Sequence, residues 1–142
     1  LWSMSPMLTS FRIDMTPSRT ILSPLLQLRL SRPDQDLENA IDIDAYLDSG
    51  AQRSVFEGWM APALGLDLMD GEPVTYSSTT GQELQGRLHE VRLSHPLLGA
   101  FHLEIGFATS DIARNLLGRD FFNLIQLGFR ERQLVFYVTP SP

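Results

Sequence analysis

Short segments in which apolar and polar residues alternate recur along most of the chain, and this period of two limits the fold more than any other feature. Alternation puts one set of side chains on each face of a strand, so each segment is predicted to be a β-strand. Short strands at close spacing, with turns between them, predict a mostly β barrel or sandwich. The predicted strands cover residues 26–31, 41–47, 73–76, 84–93, 101–107, 125–129 and 133–138.

One segment has helical spacing instead. Val55, Trp59 and Ala63 recur every four residues, which predicts a short helix over residues 55–66 whose length Pro62 limits. Trp59 is then expected to anchor this helix in the core or to lie partly exposed at the edge of a cleft.

Three further local features follow from the pattern. Apolar residues change parity within segment 84–93, which predicts a β-bulge near His89 and Glu90. The last strand is apolar at every position of 134–138, which is typical of a strand buried on both faces, either in a sandwich core or against another chain. Residues 118–122 follow an apolar pair and are expected to begin a short helix.

Composition excludes several function classes. The chain has 142 residues, enough for about one domain, and no cysteine, which excludes a disulfide scaffold, a cysteine zinc site, an iron–sulfur cluster and a thiol nucleophile. A net charge of −6 is unfavourable for binding nucleic acid or an anionic membrane through a general electrostatic footprint. The sequence shows no targeting segment and no membrane-spanning run. A cytoplasmic location is expected because the absence of cysteine fits a reducing compartment.

The most informative segment for chemistry runs from Ala45 to Ala51. A carboxylate, Asp48, ends an apolar strand and is followed by Ser49 and Gly50. Glycine permits a tight turn and the close approach of another backbone, and the serine hydroxyl can hold a neighbouring loop by a hydrogen bond. Taken alone, however, Asp-Ser-Gly is more typical of a turn that caps the following segment.

A second segment, Asn115 to Phe122, reads Asn-Leu-Leu-Gly-Arg-Asp-Phe-Phe, and between the two a polar loop precedes Gly86-Arg87-Leu88-His89. In this order and spacing the segments resemble the retropepsin-like aspartic proteases, which include retroviral proteases, the protease domain of the DNA-damage-inducible proteins and short bacterial relatives. The resemblance covers about residues 25–138. Residues 1–24 are therefore expected to form an irregular N-terminal arm with a short strand near 11–13, and residues 25–142 the protease domain.

The resemblance implies a closed, barrel-like acid protease fold with one or two short helices, and a homodimer in which each chain supplies one catalytic residue, Asp48. Two carboxylates that meet at a two-fold axis share one proton and titrate as a unit. One is the base for a water molecule, and the other, protonated, hydrogen-bonds the carbonyl of the scissile peptide bond. This chemistry needs no metal, cofactor or covalent intermediate.

Further residues take roles by the same resemblance. Ser49 is expected to link the two active-site loops across the dimer, and Gly50, with Ala51 in the same loop, to carry a backbone contact to the substrate. Leu117 and Gly118 are expected to pack behind the catalytic loop. The structural second motif comprises Leu117, Gly118, Arg119 and Asp120.

Two expectations concern segments outside these motifs. The apolar strand 134–138 is expected to pair with its symmetry mate in an interface sheet. A flap is expected to fold over an extended peptide substrate, with Gly81 giving its tip mobility. The flap residues are Ser77, Ser78, Thr79, Thr80, Gly81 and Gln82.

The chain departs from the retroviral pattern in three ways. Many retroviral enzymes carry an aspartate at the place of Gln52, where it pairs with the arginine of the second motif. Arg119 is therefore expected to pair with Asp120 or with a main-chain carbonyl. Ser49 stands in place of the commoner threonine, and the flap is polar rather than glycine-rich and apolar.

Other chemistries fit the sequence poorly. The three histidines, spaced by 6 and 7 residues, match no zinc pattern; they are His89, His95 and His102. Ser49 lacks the Gly-x-Ser-x-Gly elbow of serine hydrolases. Asp42 and Asp44 are better explained as the solvated face of a strand than as a calcium loop.

Three functional hypotheses follow. The first is an aspartic endopeptidase, active as a homodimer on extended peptides. The second is the same fold used as a dimerising or peptide-binding module with little or no proteolysis, which the polar flap and Gln52 favour. The third is a zymogen-like state in which residues 1–24 cover the cleft or compete for the interface.

Overall fold

The computed structural model describes residues 7–15, 20–78 and 80–140, so that Thr79 of the expected flap lies outside the described residues. The N-terminal strands are β1 Met7–Ser10, β2 Arg12–Met15 and β3 Thr20–Ser23. The elements that follow are β4 Leu25–Ser31, β5 Ile41–Leu47, β6 Val55–Phe56, α1 Met60–Ala63, β7 Glu72–Ser77, β8 Glu83–His95, β9 Gly99–Ala108, β10 Asn115–Leu117, α2 Arg119–Phe122, β11 Ile125–Arg130 and β12 Val135–Pro140.

The main sheet closes on itself. Its seven strands have the order β4-β5-β10-β6-β9-β8-β7, and β4 pairs in addition with β8. This second pairing joins Arg29, Leu30 and Ser31 to residues 92–94 and turns six of the strands into a barrel. The predicted mostly β, barrel-like fold with two short helices is therefore confirmed.

The period-two pattern places the core as predicted. In β4, Leu26, Leu28 and Leu30 are at most 1% exposed and point into the barrel. In β5 the buried side chains are Ala45 and its alternate neighbours, whereas Asp42 and Asp44 are exposed. The interpretation of these two aspartates as a solvated strand face is confirmed.

The helix predicted over residues 55–66 is wrong for most of its length. Val55 and Phe56 form β6, which pairs with Leu116 of β10 and runs parallel to β9. Helical structure is limited to Met60–Ala63 of α1, and Trp59 is 56% exposed rather than anchored in the core. The four-residue spacing is typical of a helix, but here it does not reflect one. The pairing partners of β6 lie far away in the sequence, so no local pattern indicated the strand.

The bulge predicted near His89 and Glu90 is also wrong, because every residue from Gly86 to His95 has a partner in β9. The change of parity therefore occurs within a continuously paired strand. Its first half pairs with β7 and its second half with β4, and the buried positions shift from Gly86 in the first half to Val91 and Leu93 in the second.

The last strand lies in the middle of a separate sheet with the order β1-β12-β11. Phe136 and Val138 are buried, but Tyr137 is only half-buried and Leu134 is 39% exposed, so the strand is not buried on both faces within one chain. Its burial against another chain stays a prediction. Because β1 and β11 occupy both edges of β12, no edge is left for a symmetry mate in this arrangement of the chain.

The N-terminal segment has side-chain contacts with both the β1-β12-β11 sheet and the barrel. The ring of Phe11 packs against Phe136 with centroids 6.1 Å apart, and Arg12 forms an ion pair with Asp44 on the outer face of β5. Strands β2 and β3 form a hairpin of their own. None of the helices in the described residues has the length and apolar character needed to cross a membrane.

Candidate active site

The two sequence motifs are neighbours in the barrel. Strand β10 runs parallel to β5 with Leu117 opposite Leu47, so both motifs leave the sheet at the same end. Directly after β5, the backbone N–H of Asp48 donates to the carbonyl of Leu117 at 2.9 Å. The structure therefore brings the Asp-Ser-Gly and Leu-Gly-Arg-Asp segments together, 70 residues apart in the chain.

A tight turn presents the carboxylate of Asp48. Its Oδ1 accepts the N–H of Gly50 at 2.9 Å, and its carbonyl accepts the N–H of Ala51 at 3.2 Å. A Cβ at position 50 would lie 3.2 Å from Oδ1, which explains why the smallest residue follows Ser49. Asp48 is half-buried and Ser49 is exposed, so the carboxylate is held in place and remains accessible.

The second motif interlocks with the loop that carries Asp48. The N–H of Arg119 donates to the carbonyl of Ala51 at 2.9 Å, and the N–H of Asp120 donates to that of Gln52 at 3.2 Å. A Cβ on Gly118 would lie 2.7 Å from the carbonyl oxygen of Ala51, a distance that real structures essentially never show. The backbones can approach this closely only because residue 118 is glycine.

Asp120 does not pair with Arg119. Its carboxylate accepts the hydroxyl of Ser54 at 2.6 Å and the N–H of Ser54 at 2.9 Å. The side chain of Arg119 is exposed and forms no ion pair with any residue of the described chain. The expected pairing with Asp120 is therefore wrong, since the carboxylate is already used to hold the loop of the first motif.

Sequence reasoning missed Ser54. It is 1% exposed, and besides Asp120 it binds Gly118, whose N–H donates to its Oγ at 3.0 Å. The sequence shows only a serine just before an apolar segment, and it does not show that this serine is buried. Its role depends on partners 64 and 66 residues away.

Tyr76, at the base of the expected flap, was missed as well. Its hydroxyl donates to the carbonyl of Ser54 at 3.0 Å. The pKa of Tyr76 is raised to about 12, mainly by burial and also by the charge of Asp120, while the charge of Arg53 acts in the opposite direction. At neutral pH this phenol is therefore protonated and is the donor.

The expected flap residues form the tip of the β7–β8 hairpin. The N–H of Ser78 donates to the carbonyl of Gln82 at 3.0 Å, and Gly81 has a φ of +82°, which favours glycine. Thr80 contacts the hydroxyl of Ser78, while Thr79 lies outside the described residues. Ser77, the last residue of β7, and the described tip residues are all exposed.

Tyr46 lies two residues before Asp48, on the same face of β5. The guanidinium of Arg114 lies over its ring, 3.7 Å from the centroid. A cation–π pair therefore lies two residues before Asp48 along the chain. Among the residues that the structure describes, no group of three or more His, Asp or Glu side chains is placed to hold a metal ion.

Known proteins resemble the chain in structure rather than in sequence. No protein-family model and no curated protein matches the sequence. Among solved structures, a retropepsin-like aspartic protease from Rickettsia conorii is 16% identical with a TM-score of 0.59, covering 99% of this chain and 98% of that chain. The EIAV protease complexed with the inhibitor HBY-793 is 18% identical with a TM-score of 0.53, covering 71% of this chain and 86% of that chain. The chain therefore has the fold of the retropepsin-like aspartic proteases.

Proposed function

We propose that the chain is an aspartic endopeptidase whose active form is a homodimer with Asp48 of each copy at its centre. One observation carries the proposal. The carboxylate of Asp48 is accessible, and its turn is held by Gly50 and by the carbonyl of Leu117 in the second motif. A rigidly presented carboxylate is what a dyad needs, because both copies must meet within hydrogen-bonding distance.

The reaction follows from two such carboxylates. Close like charges cannot both ionise, so the pair holds one proton between them. The ionised member takes a proton from a water molecule, which attacks the peptide carbonyl. The protonated member donates a hydrogen bond to the carbonyl oxygen and later passes a proton to the leaving amine. Neither step uses a metal or a covalent intermediate.

The remaining motif residues support this site. In the proposal, Ser49 joins the two catalytic loops across the two-fold axis, and the backbone of Gly50 contacts the substrate. The buried Leu117 and Gly118 pack behind the catalytic loop. The hairpin tip at residues 77–82 covers an extended peptide, whose backbone it aligns by strand-like hydrogen bonds.

The terminal sheet bears on how two copies assemble. If β12 of each chain pairs with its symmetry mate, β1 must first leave the edge that it occupies from Met7 to Ser10. This observation favours the third hypothesis, in which the arm competes for the interface. The full chain then dimerises less readily than a chain whose β1 has left this edge, and its cleavage activity rises when β1 is released.

A second candidate function is peptide binding without cleavage. The side chain of Arg119 is exposed and forms no ion pair within the described residues, and Gln52 is exposed beside it in the paired loop. An ion pair between positions 52 and 119, which would stiffen the cleft, is thus absent from the described residues.

The test is to replace Asp48 with Asn and to incubate wild type and variant with a degenerate peptide library from acidic to neutral pH. Wild type is expected to cut, and Asp48→Asn to lose cleavage while sedimenting like wild type. Asp42→Asn is the matched control, because Asp42 lies on the same strand, exposed. Cleavage by Asp48→Asn contradicts the proposal, and binding without cutting by wild type favours the second candidate.

A further inference from the structure

The side chain of Tyr76 connects two structures that the chain order separates. Tyr76 is the fifth residue of β7, the strand that leads into the hairpin tip, and its hydroxyl reaches the carbonyl of Ser54. Ser54 ends the loop that begins at Asp48. A single side chain therefore spans from the expected flap to the expected catalytic loop.

Two glycines make room for this side chain. A Cβ on Gly106 would lie 1.7 Å from the hydroxyl oxygen of Tyr76, and a Cβ on Gly86 would lie 3.3 Å from its Cε2. Gly86 and Gly106 lie within the adjacent strands β8 and β9. Glycine in a strand interior weakens a sheet unless something needs the space. Here the ring of Tyr76 fills that space.

The acceptor is itself immobilised. Ser54 is 1% exposed, its N–H and hydroxyl both bind Asp120, and its Oγ accepts the N–H of Gly118. A hydrogen bond to such a residue transmits its position, because the acceptor cannot move without breaking several other bonds. Tyr76 thereby ties β7 to the same residue that joins the two motifs.

We propose that Tyr76 is a positioning residue that sets the height of the β7–β8 hairpin above the loop of Asp48, and that Gly106 is glycine to admit it. This inference rests on the proposed function where it concerns substrate. Tyr76 acts through the hairpin rather than on the reacting atoms. Its loss therefore weakens the binding of substrate in the ground state and transition state alike, which raises KM and leaves kcat nearly unchanged.

The first experiment compares Tyr76→Phe with wild type, using Tyr137→Phe as the control for loss of a tyrosine hydroxyl elsewhere. Hydrogen–deuterium exchange over residues 72–86 reports on the hairpin whether or not the chain cuts peptides. We expect exchange to rise and KM to rise, each by about fivefold, with kcat within about twofold of wild type. If the chain binds peptides without cutting them, the dissociation constant of a library peptide replaces KM.

A second pair of variants tests the slot. Gly106→Ala is expected to expel the ring and to raise exchange more than Tyr76→Phe does. In a Tyr76→Ala background, Gly106→Ala is expected to add little, because the clashing atoms are gone. Unchanged exchange in Tyr76→Phe, an unchanged KM, or equal effects of Gly106→Ala in both backgrounds would each overturn the inference. Absence of cleavage with raised exchange in Tyr76→Phe would count against the protease alone.

Discussion

Ser54 and Asp120, 66 residues apart in the chain, form the hydrogen-bonded pair that holds the two motif loops together. The hydroxyl of Ser54 donates to one carboxylate oxygen at 2.6 Å, and its backbone N–H donates to the other at 2.9 Å. The N–H of Phe121 adds a third donor at 2.8 Å. A carboxylate in this position is a structural anchor, and its charge is matched by donors rather than by an arginine.

Asp120→Asn is expected to lower the free energy of unfolding by about 1–3 kcal/mol, because an amide turns one donor toward the donors of Ser54. Urea unfolding measures the difference. Asp42→Asn, on an exposed strand face, is expected to change stability by less than about 0.5 kcal/mol. Equal stability of Asp120→Asn and wild type would show that the pair contributes nothing.

Gly118→Ala is expected to destabilise the chain by about 1–3 kcal/mol, because the added Cβ meets the backbone of Ala51 and no flexible side chain can give way. Its control is Gly128→Ala in β11, where an added Cβ has no neighbour within 4 Å. Thermal unfolding is expected to separate the two variants. A Gly118→Ala chain as stable as Gly128→Ala would mean that the two loops separate at little cost.

Stability is expected to fall between pH 10 and pH 12 because of Tyr76. Its pKa is 10.0 in a model peptide and about 12 in the folded chain, so in this range the unfolded state has lost a proton that the folded state keeps. Stability is thus fully present below pH 10 and declines as pH rises through the folded pKa. Urea unfolding against pH is expected to fall less steeply for Tyr76→Phe, and parallel curves would contradict the assignment.

Loosening β1 is expected to strengthen self-association. The N–H of Phe11 donates to the carbonyl of Leu134. Hydrogen-bonded and non-hydrogen-bonded pairs alternate along antiparallel strands, so the next hydrogen-bonded pair is Thr9 with Phe136. Thr9→Pro removes that donor, whereas in Ser10→Pro the lost N–H points away from β12. Sedimentation velocity over a concentration series is expected to show tighter dimers for Thr9→Pro only. Weaker association of Thr9→Pro would instead make β1 part of the interface.

Local pattern was enough for much of the fold and for selecting the residue proposed to lie at the centre of the site. Alternation in β4, β5 and β9 identified the strands and their buried faces, because a period of two is a property of neighbours in sequence. The same holds for Asp48, Gly50 and Gly118, whose residue types and order resemble a known set of motifs. The hairpin tip at residues 77–82 also followed from local turn chemistry.

Tertiary structure decided the rest. Whether residues 55–56 form a helix or a strand depended on β9 and β10. Arg119 does not pair with Asp120, because Ser54 binds that carboxylate. Tyr76 found its place through the gap left by Gly106, 30 residues further along. The sequence by itself determined which side chains face inward and where a carboxylate ends a strand. Only the closed barrel decided which distant groups meet, since hydrogen bonds between paired strands and loops leave no periodic trace in the residues that make them.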